Sequence, residues 1–313
     1  MFTLAVVLGV AGVGAAAAAI VAAVGSVHRV AASSAGVDVV GVRLSYPRLN
    51  GAEWALLTAA FLGATALSIA LVAFVKQRTA YRRFISRLQI VGELDGHRSA
   101  RVIADPAPQA FCAGYLRPKV YVSRRTVELL TPPELDAVLA HEHHHRRVRD
   151  PLRFAFGRVF GQALFFIPAL RALSERYADE AELHADHAAV RETRGGVAAL
   201  ASALLVFEQS SAPGVAGISP ERADSLLGQA ASWRVPGRML TRSVGMLSSI
   251  VLVVWQTSGI ASAQASLNLP IVSSRPCIMV LAVLALGVWL AMALCRAGAL
   301  EGLRRVPGVI VRG

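Results

Sequence analysis

Of 313 residues, 55% are hydrophobic and only 17% charged, and the apolar residues gather in long unbroken runs; this excludes an ordinary soluble globular chain. The net charge of +12 is carried almost wholly by Arg, with Lys only at Lys76 and Lys119, and suits a basic polar region facing anionic lipid at a cytoplasmic surface. No nucleic-acid-binding motif and no compact basic run with interleaved aromatics accompanies the charge, so direct nucleic-acid binding is set aside. Cys112, Cys277 and Cys295 are odd in number and lack metal-ligand spacing, which argues against a disulfide framework.

The first apolar run, Met1 to Val27, holds no charge. A signal peptide would carry a basic start that is missing here, so the run reads as a retained span. A second run, Trp54 to Val75, ends in Lys76, Arg78, Arg82, Arg83 and Arg87, which places the polar region after it in the cytoplasm and the loop His28 to Glu53 outside. Two more runs, Val244 to Ala263 and Cys277 to Leu294, are flanked by Arg238 and Arg242 on one side and Arg296, Arg304, Arg305 and Arg312 on the other. The simplest topology is four spans with both termini inside: residues 1–75 as two spans with an external loop, 76–243 as a cytoplasmic domain, and 244–313 as two spans with a basic tail. Phe154 to Leu170 is apolar but interrupted by Arg158, Gln162 and Pro168, and is expected to be a buried or interface-lying helix, not a fifth crossing. The fold class expected is mainly α: multi-span membrane helices plus a cytoplasmic α+β domain with a small sheet.

Within the polar domain, Arg101–Ala104 and Lys119–Ser123 read as short strands around an Asp105-Pro106 turn and a turn containing Gly114. Thr131-Pro132-Pro133-Glu134 is a helix start, with Thr131 placed to cap, Pro132 in the first turn and Glu134 completing a capping box. That helix should run to about Arg149, where Asp150-Pro151 stops it. A second helix is expected from about Ala172 to Thr193, ending at Gly195-Gly196, then a loop over Ser211 to Ser219 and a short helix from Ser219-Pro220.

The capped helix contains His141-Glu142-His143-His144-His145, which fits HExxH. Residues four apart share a helix face, so His141 and His145 can aim ring nitrogens at one ion. Glu142, one step round, can reach a metal-bound water as a general base without becoming a ligand. A catalytic zinc ion needs three protein ligands and an open position. Glu182 on the downstream helix is the candidate third ligand, with Glu180 as fallback, and Asp186 can accept a hydrogen bond from a ligating imidazole. One Zn²⁺ per chain is expected. His143 points away from His141, His144 lies nearer the metal face, and His184 and His187 are candidate contacts to substrate or transition state. Tyr177 and Arg191 join those two as candidates to stabilise the oxyanion. A solvated His-rich helix or a purely structural zinc site are the bland alternatives.

These residues resemble the BlaR/MecR-type integral membrane zinc metallopeptidases. The likeness runs from about Ala104 to Val190: Ala110-Phe111 with Gly114, Pro118 to Ser123, Leu135 to Glu142, the basic run ending in Asp150, and Glu182 to Asp186. The HtpX and CAAX-prenyl-protease type peptidases are similar over the same motifs. The resemblance implies a gluzincin-like domain on the cytoplasmic side, zinc on His141, His145 and Glu182, and backbone pairing of substrate with the strand around Val120–Ser123. It also implies cleavage of a cytoplasmic regulatory protein, a transcriptional repressor among the candidates, or of the chain itself, with Glu142 activating the attacking water. No penicillin-binding sensor domain is expected, and the two-plus-two arrangement of spans departs from that group. The alternatives are a processing or quality-control peptidase of the HtpX/CAAX type, or a non-catalytic zinc-binding signalling protein. The location expected is the plasma or inner membrane, multi-pass, with the lipid bilayer and a protein substrate as partners.

Overall fold

In the computed structural model, which describes residues 1–25, 35–39, 42–46, 51–210, 220–228, 237–264 and Trp289, the first apolar run is a single helix, α1 (Phe2–Gly25). Between it and the next span, β1 (Ala35–Val39) and β2 (Val42–Tyr46) form an antiparallel hairpin. The second span does not stop where its apolar residues do. α2 (Gly51–Arg87) runs unbroken through the basic stretch after Val75, because Lys, Arg and Gln are good helix formers and no Pro or Gly intervenes. α1 and α2 cross closely at Gly63, where a Cβ would come within 2.8 Å of the Ala16 carbonyl oxygen; a small residue there lets two backbones approach.

α2 delivers the chain to a four-stranded sheet of β3 (Ile90–Leu94), β4 (His97–Ile103), β5 (Ala110–Ala113) and β6 (Lys119–Ser123), in the order β3-β4-β6-β5. Only β4 and β6 run parallel. Side-chain alternation splits the sheet into two apolar faces. Ile103, Phe111, Ala113 and Tyr121 pack on Tyr81, Phe84 and Ile85 of the α2 tail, and Ala100, Ala110, Val120 and Val122 pack toward the helical side. The two strands expected at 101–104 and 119–123 are present; β3 and β5, which lack a clear period-two pattern, are not among the expected strands. One expectation is corrected here. The strand at Val120–Ser123 is bonded on both sides, to β4 and β5, so its backbone has no edge to offer a substrate. The edge strand beside the histidine-bearing helix is β5.

Ser123 caps α3 (Arg124–Leu129) through the Thr126 amide. α4 (Pro132–Val148) then starts as expected, with Glu134 accepting 2.7 Å hydrogen bonds from both the amide and the hydroxyl of Thr131. Val138 and Leu139 of α4 fill the core against the sheet. α4 ends at Arg149, whose φ of 58° is left-handed, and α5 (Asp150–Ala163) begins at once. Asp150-Pro151 therefore breaks the helix direction without ending helical structure, since Pro is tolerated in a first turn.

α5 is 14 residues, about 21 Å long, too short for a hydrocarbon core of about 30 Å. The chain reverses over Leu164 to Ile167 into α6 (Pro168–Glu192). α7 (Gly196–Ser210), α8 (Pro220–Leu226) and α9 (Gly237–Gln264) complete the helices of the described residues. The α5–α6 turn is wedged among the long helices: Ala163, Leu164, Ile167 and Leu170 share one core with Ala5 and Leu8 of α1, Ala66 of α2 and Leu247 of α9. Phe154 to Leu170 thus enters a helical hairpin whose turn is partly buried, with Leu164 and Ile167 packed inside and Phe165 exposed. By length and composition, the described residues hold three helices able to cross a membrane, at Phe2–Ala23, Trp54–Arg87 and Gly237–Thr257. The run Cys277 to Leu294 lies outside the described residues, Trp289 apart.

Candidate metal centre

α4 and α6 pack side by side, and each contributes one face to a buried polar pocket. On α4, His141 and His145 sit one turn apart and are both buried, 5% and 6% exposed. Their Nε2 atoms face each other at 3.1 Å. From α6, Glu182 places Oε2 3.5 Å from His141 Nε2 and Oε1 3.5 Å from His145 Nε2. One ligand atom from each of the three lies within 4.8 Å of the others.

The outer nitrogens decide what the inner ones do. His145 Nδ1 is 2.8 Å from Asp150 Oδ2, so a proton there is donated to the carboxylate and Nε2 is left with a lone pair. His141 Nδ1 lies 2.9 Å from Asp186 Oδ1, off the line of a straight hydrogen bond. The two Nε2 atoms and a carboxylate thus converge on one buried point, and Glu182 Oε2 has no hydrogen-bond partner although it is buried. Such a donor set is unsatisfied until a cation sits inside it. Ligand atoms about 2 Å from a tetrahedral zinc ion lie roughly 3.3 Å apart, close to the separations seen here. The site attracts positive charge: burial opposes charge on His141, but Asp186 and Glu182 outweigh it and push the imidazole up to about 10, so an incoming cation takes the place of that proton. The residues fit a divalent ion, and imidazole with carboxylate suits zinc.

Glu142 is also buried, 6% exposed, on the next step of α4. Burial pushes its carboxyl up, against the pull of the two imidazoles, which suits a group that must accept and return a proton. Cys112 on β5 is buried close enough to feel Glu142 and Asp150, and burial drives its thiol up, so it stays a neutral packing residue.

Asp150 and Arg222 carry no local signal of a role in the site. Asp150 is buried, 1% exposed, and also accepts the Tyr177 hydroxyl, which in turn accepts from Arg153 at 3.1 Å. Tyr177 therefore braces the partner of His145. Arg222 comes from α8, about forty residues beyond Glu182. It holds Asp186 in a two-pronged pair at 2.8 and 2.7 Å and reaches Glu182 Oε2 at 3.3 Å. Burial would raise the Asp186 carboxyl, but His141 and Arg222 hold it down at about 2. The helix signal at Ser219-Pro220 could have placed Arg222 on a helix, but nothing local ties it to a site so far upstream.

The remaining candidates sit elsewhere. His184 is exposed, 3.9 Å from Glu180, and His187 is exposed and 3.1 Å from the Ser225 hydroxyl. Arg191 is exposed, His143 half-buried, and His144 lies 3.4 Å from an Arg147 nitrogen.

Searches of curated proteins and of solved structures returned no match. Residues 75–211 match the family model described as Peptidase family M48, a stretch that spans the α2 tail, the sheet, and the His141, His145 and Glu182 helices. The metallopeptidase resemblance seen in the sequence agrees with this match: residues 75–211 are similar to peptidase family M48, and the His141, His145 and Glu182 cluster lies within them.

Proposed function

We propose that the chain is a membrane-embedded, zinc-dependent endopeptidase whose 76–243 domain faces the cytoplasm and cuts a regulatory protein there, or the chain itself. The observation that carries this is the convergence of His141, His145 and Glu182 on one buried point with Glu142 beside it. The density of Lys and Arg on α2 after Val75 supports the cytoplasmic side.

His141, His145 and Glu182 would hold a zinc ion, which would supply Lewis acidity for the scissile carbonyl and for the attacking water. Glu142 takes a proton from that water and returns it to the departing amine. Asp150 and Asp186 hold the two imidazoles with their Nε2 lone pairs inward, and Tyr177 and Arg222 hold those carboxylates in turn. Arg222 also offsets part of the negative charge gathered by Glu182 and Asp186. The free edge of β5 offers unpaired backbone groups beside α4 for an extended substrate.

A second reading, a processing or quality-control peptidase acting on membrane proteins, is favoured by the nearness of a span to the site: Phe2 of α1 packs on Tyr177 at 5.2 Å between ring centres. The test is proteolysis by the full chain in membranes against soluble and membrane-anchored fluorogenic reporters. Cleavage that is lost in Glu142→Gln with metal retained supports the peptidase reading, and the preferred reporter separates the two substrate classes. Cleavage equal in wild type and Glu142→Gln would refute it.

A further inference from the structure

The C-terminal end of α4 borders a cleft of about 570 Å³ that plays no part in the zinc chemistry. Six cations line it, Arg101, Arg117, Lys119, Arg146, Arg147 and Arg149, against a single carboxylate, Glu93. They come from β4, the β5–β6 turn, the first residue of β6, and the end of α4 with its cap Arg149. Arg147 is paired with Glu192 at 3.0 Å. Among the described residues, Arg117, Lys119, Arg146 and Arg149 have no ion pair, and all four are exposed. Packing this many like charges round one cleft is unfavourable unless something negative occupies it.

Arg149 adds an independent observation. It holds a left-handed φ of 58° and is the one non-glycine with positive φ among the described residues. Gly at that helix end would avoid a cost of roughly 1 kcal/mol. A long cation there carries its charge into the cleft at the expense of backbone strain.

We infer that this cleft is a specificity subsite for acidic side chains of a peptide substrate; the inference rests on the peptidase reading of the metal centre. Three features favour a peptide. First, α4 and its cap carry both sites: Arg146 follows His145 directly, and Arg149, the cap, comes four residues, about 6 Å of helix rise, after His145. Second, the β5–β6 turn that lines the cleft is continuous with the free β5 edge. An extended chain lying on that edge, at about 3.3 Å per residue, brings an acidic residue about two to four positions from the scissile bond to the cations. Third, the turn sits away from the lipid. Its Tyr115 packs on Tyr81, at 4.9 Å between ring centres, and Tyr81 is about 9 Å up the unbroken α2 from Val75, beyond a headgroup layer of roughly 5–7 Å.

The test uses the full chain with Glu142→Gln, reconstituted in phosphatidylcholine nanodiscs so that binding is read without turnover. Fluorescence anisotropy would compare a labelled decapeptide bearing four Glu with its Gln counterpart. At least tenfold tighter binding of the Glu peptide is expected, weakening steeply with salt. Arg149→Gly suits the left-handed backbone and should fold well; with Arg117→Gln, it should lower that preference severalfold while bound zinc is unchanged. Equal affinities for the two peptides, or a preference untouched by these substitutions, would overturn the inference. So would loss of peptide binding when phosphatidylglycerol replaces part of the lipid and Arg149→Gly restores it, which would assign the cleft to lipid headgroups. If proteolysis depends on Glu142 but Glu and Gln peptides bind alike, only the subsite fails. If the Glu peptide binds selectively and no proteolysis is found, the peptidase reading fails and takes the subsite with it.

Discussion

Replacing Asp150 with Ala removes a carboxylate that touches neither the proposed ion nor the substrate, yet holds both His145 and Tyr177. Two donors lose their acceptor at once: His145 Nδ1, now 2.8 Å from Oδ2, and the Tyr177 hydroxyl on Oδ1. Both lie in a buried setting, where an unsatisfied donor costs about 1–3 kcal/mol, so the folded state should lose about 2–6 kcal/mol. His145 also loses the partner that keeps its Nε2 lone pair inward. Such losses behind a ligating imidazole weaken metal binding by about 10–100-fold, or about 1.4–2.7 kcal/mol. Asp150→Asn keeps the shape and one acceptor oxygen and should fall between Ala and wild type. Tyr177→Phe leaves the His145 contact in place and should cost stability with little change in zinc affinity. The assay is chelator competition for zinc on detergent-solubilised protein, alongside thermal unfolding with and without chelator. Asp150→Ala that binds zinc within twofold of wild type and unfolds at the same temperature would refute the reasoning.

Glu142→Gln should abolish peptide hydrolysis, with a loss of at least 10²-fold, while retaining about one zinc per chain by elemental analysis. Glu182→Ala should instead lose the metal, and chelator should then leave its unfolding temperature unchanged, whereas wild type saturated at 100 times its Kd should lose about 2.7 kcal/mol on chelation. Arg222→Ala leaves Asp186 and Glu182 without their cation and should destabilise the metal-free protein by about 3–5 kcal/mol, read by denaturant unfolding; added zinc should recover part of that loss. At the other end of α4, Glu134→Ala removes both bonds to Thr131 and the bond from Ser202, and should cost about 1–2 kcal/mol in the same assay without changing zinc content.

The features readable from the sequence are those that depend on neighbours along the chain. Unbroken apolar runs specify the long helices, because a span must satisfy its own backbone within one segment. Thr131, Pro132 and Glu134 specify where α4 starts, and the four-residue interval places His141 with His145, and Glu182 with Asp186, on common faces. Asp150 illustrates the limit. As a local signal beside Pro151 it marks a helix break, and only the left-handed turn at Arg149 swings its carboxylate back onto His145. Arg222 lies about forty residues beyond Glu182, and no local pattern ties it to the site. The strand order is equally non-local: nothing in the residues of β6 tells that β4 and β5 close on either side of it, which leaves β5 as the edge. The basic residues tell the same story. Arg146, Arg147 and Arg149 are neighbours along the chain, but only the packing of α4 against the sheet end brings Arg101, Arg117 and Lys119 round the same cleft. Helix periodicity and capping act over a few residues and are written locally, whereas charge pairing and edge exposure depend on which distant elements the folded core brings together.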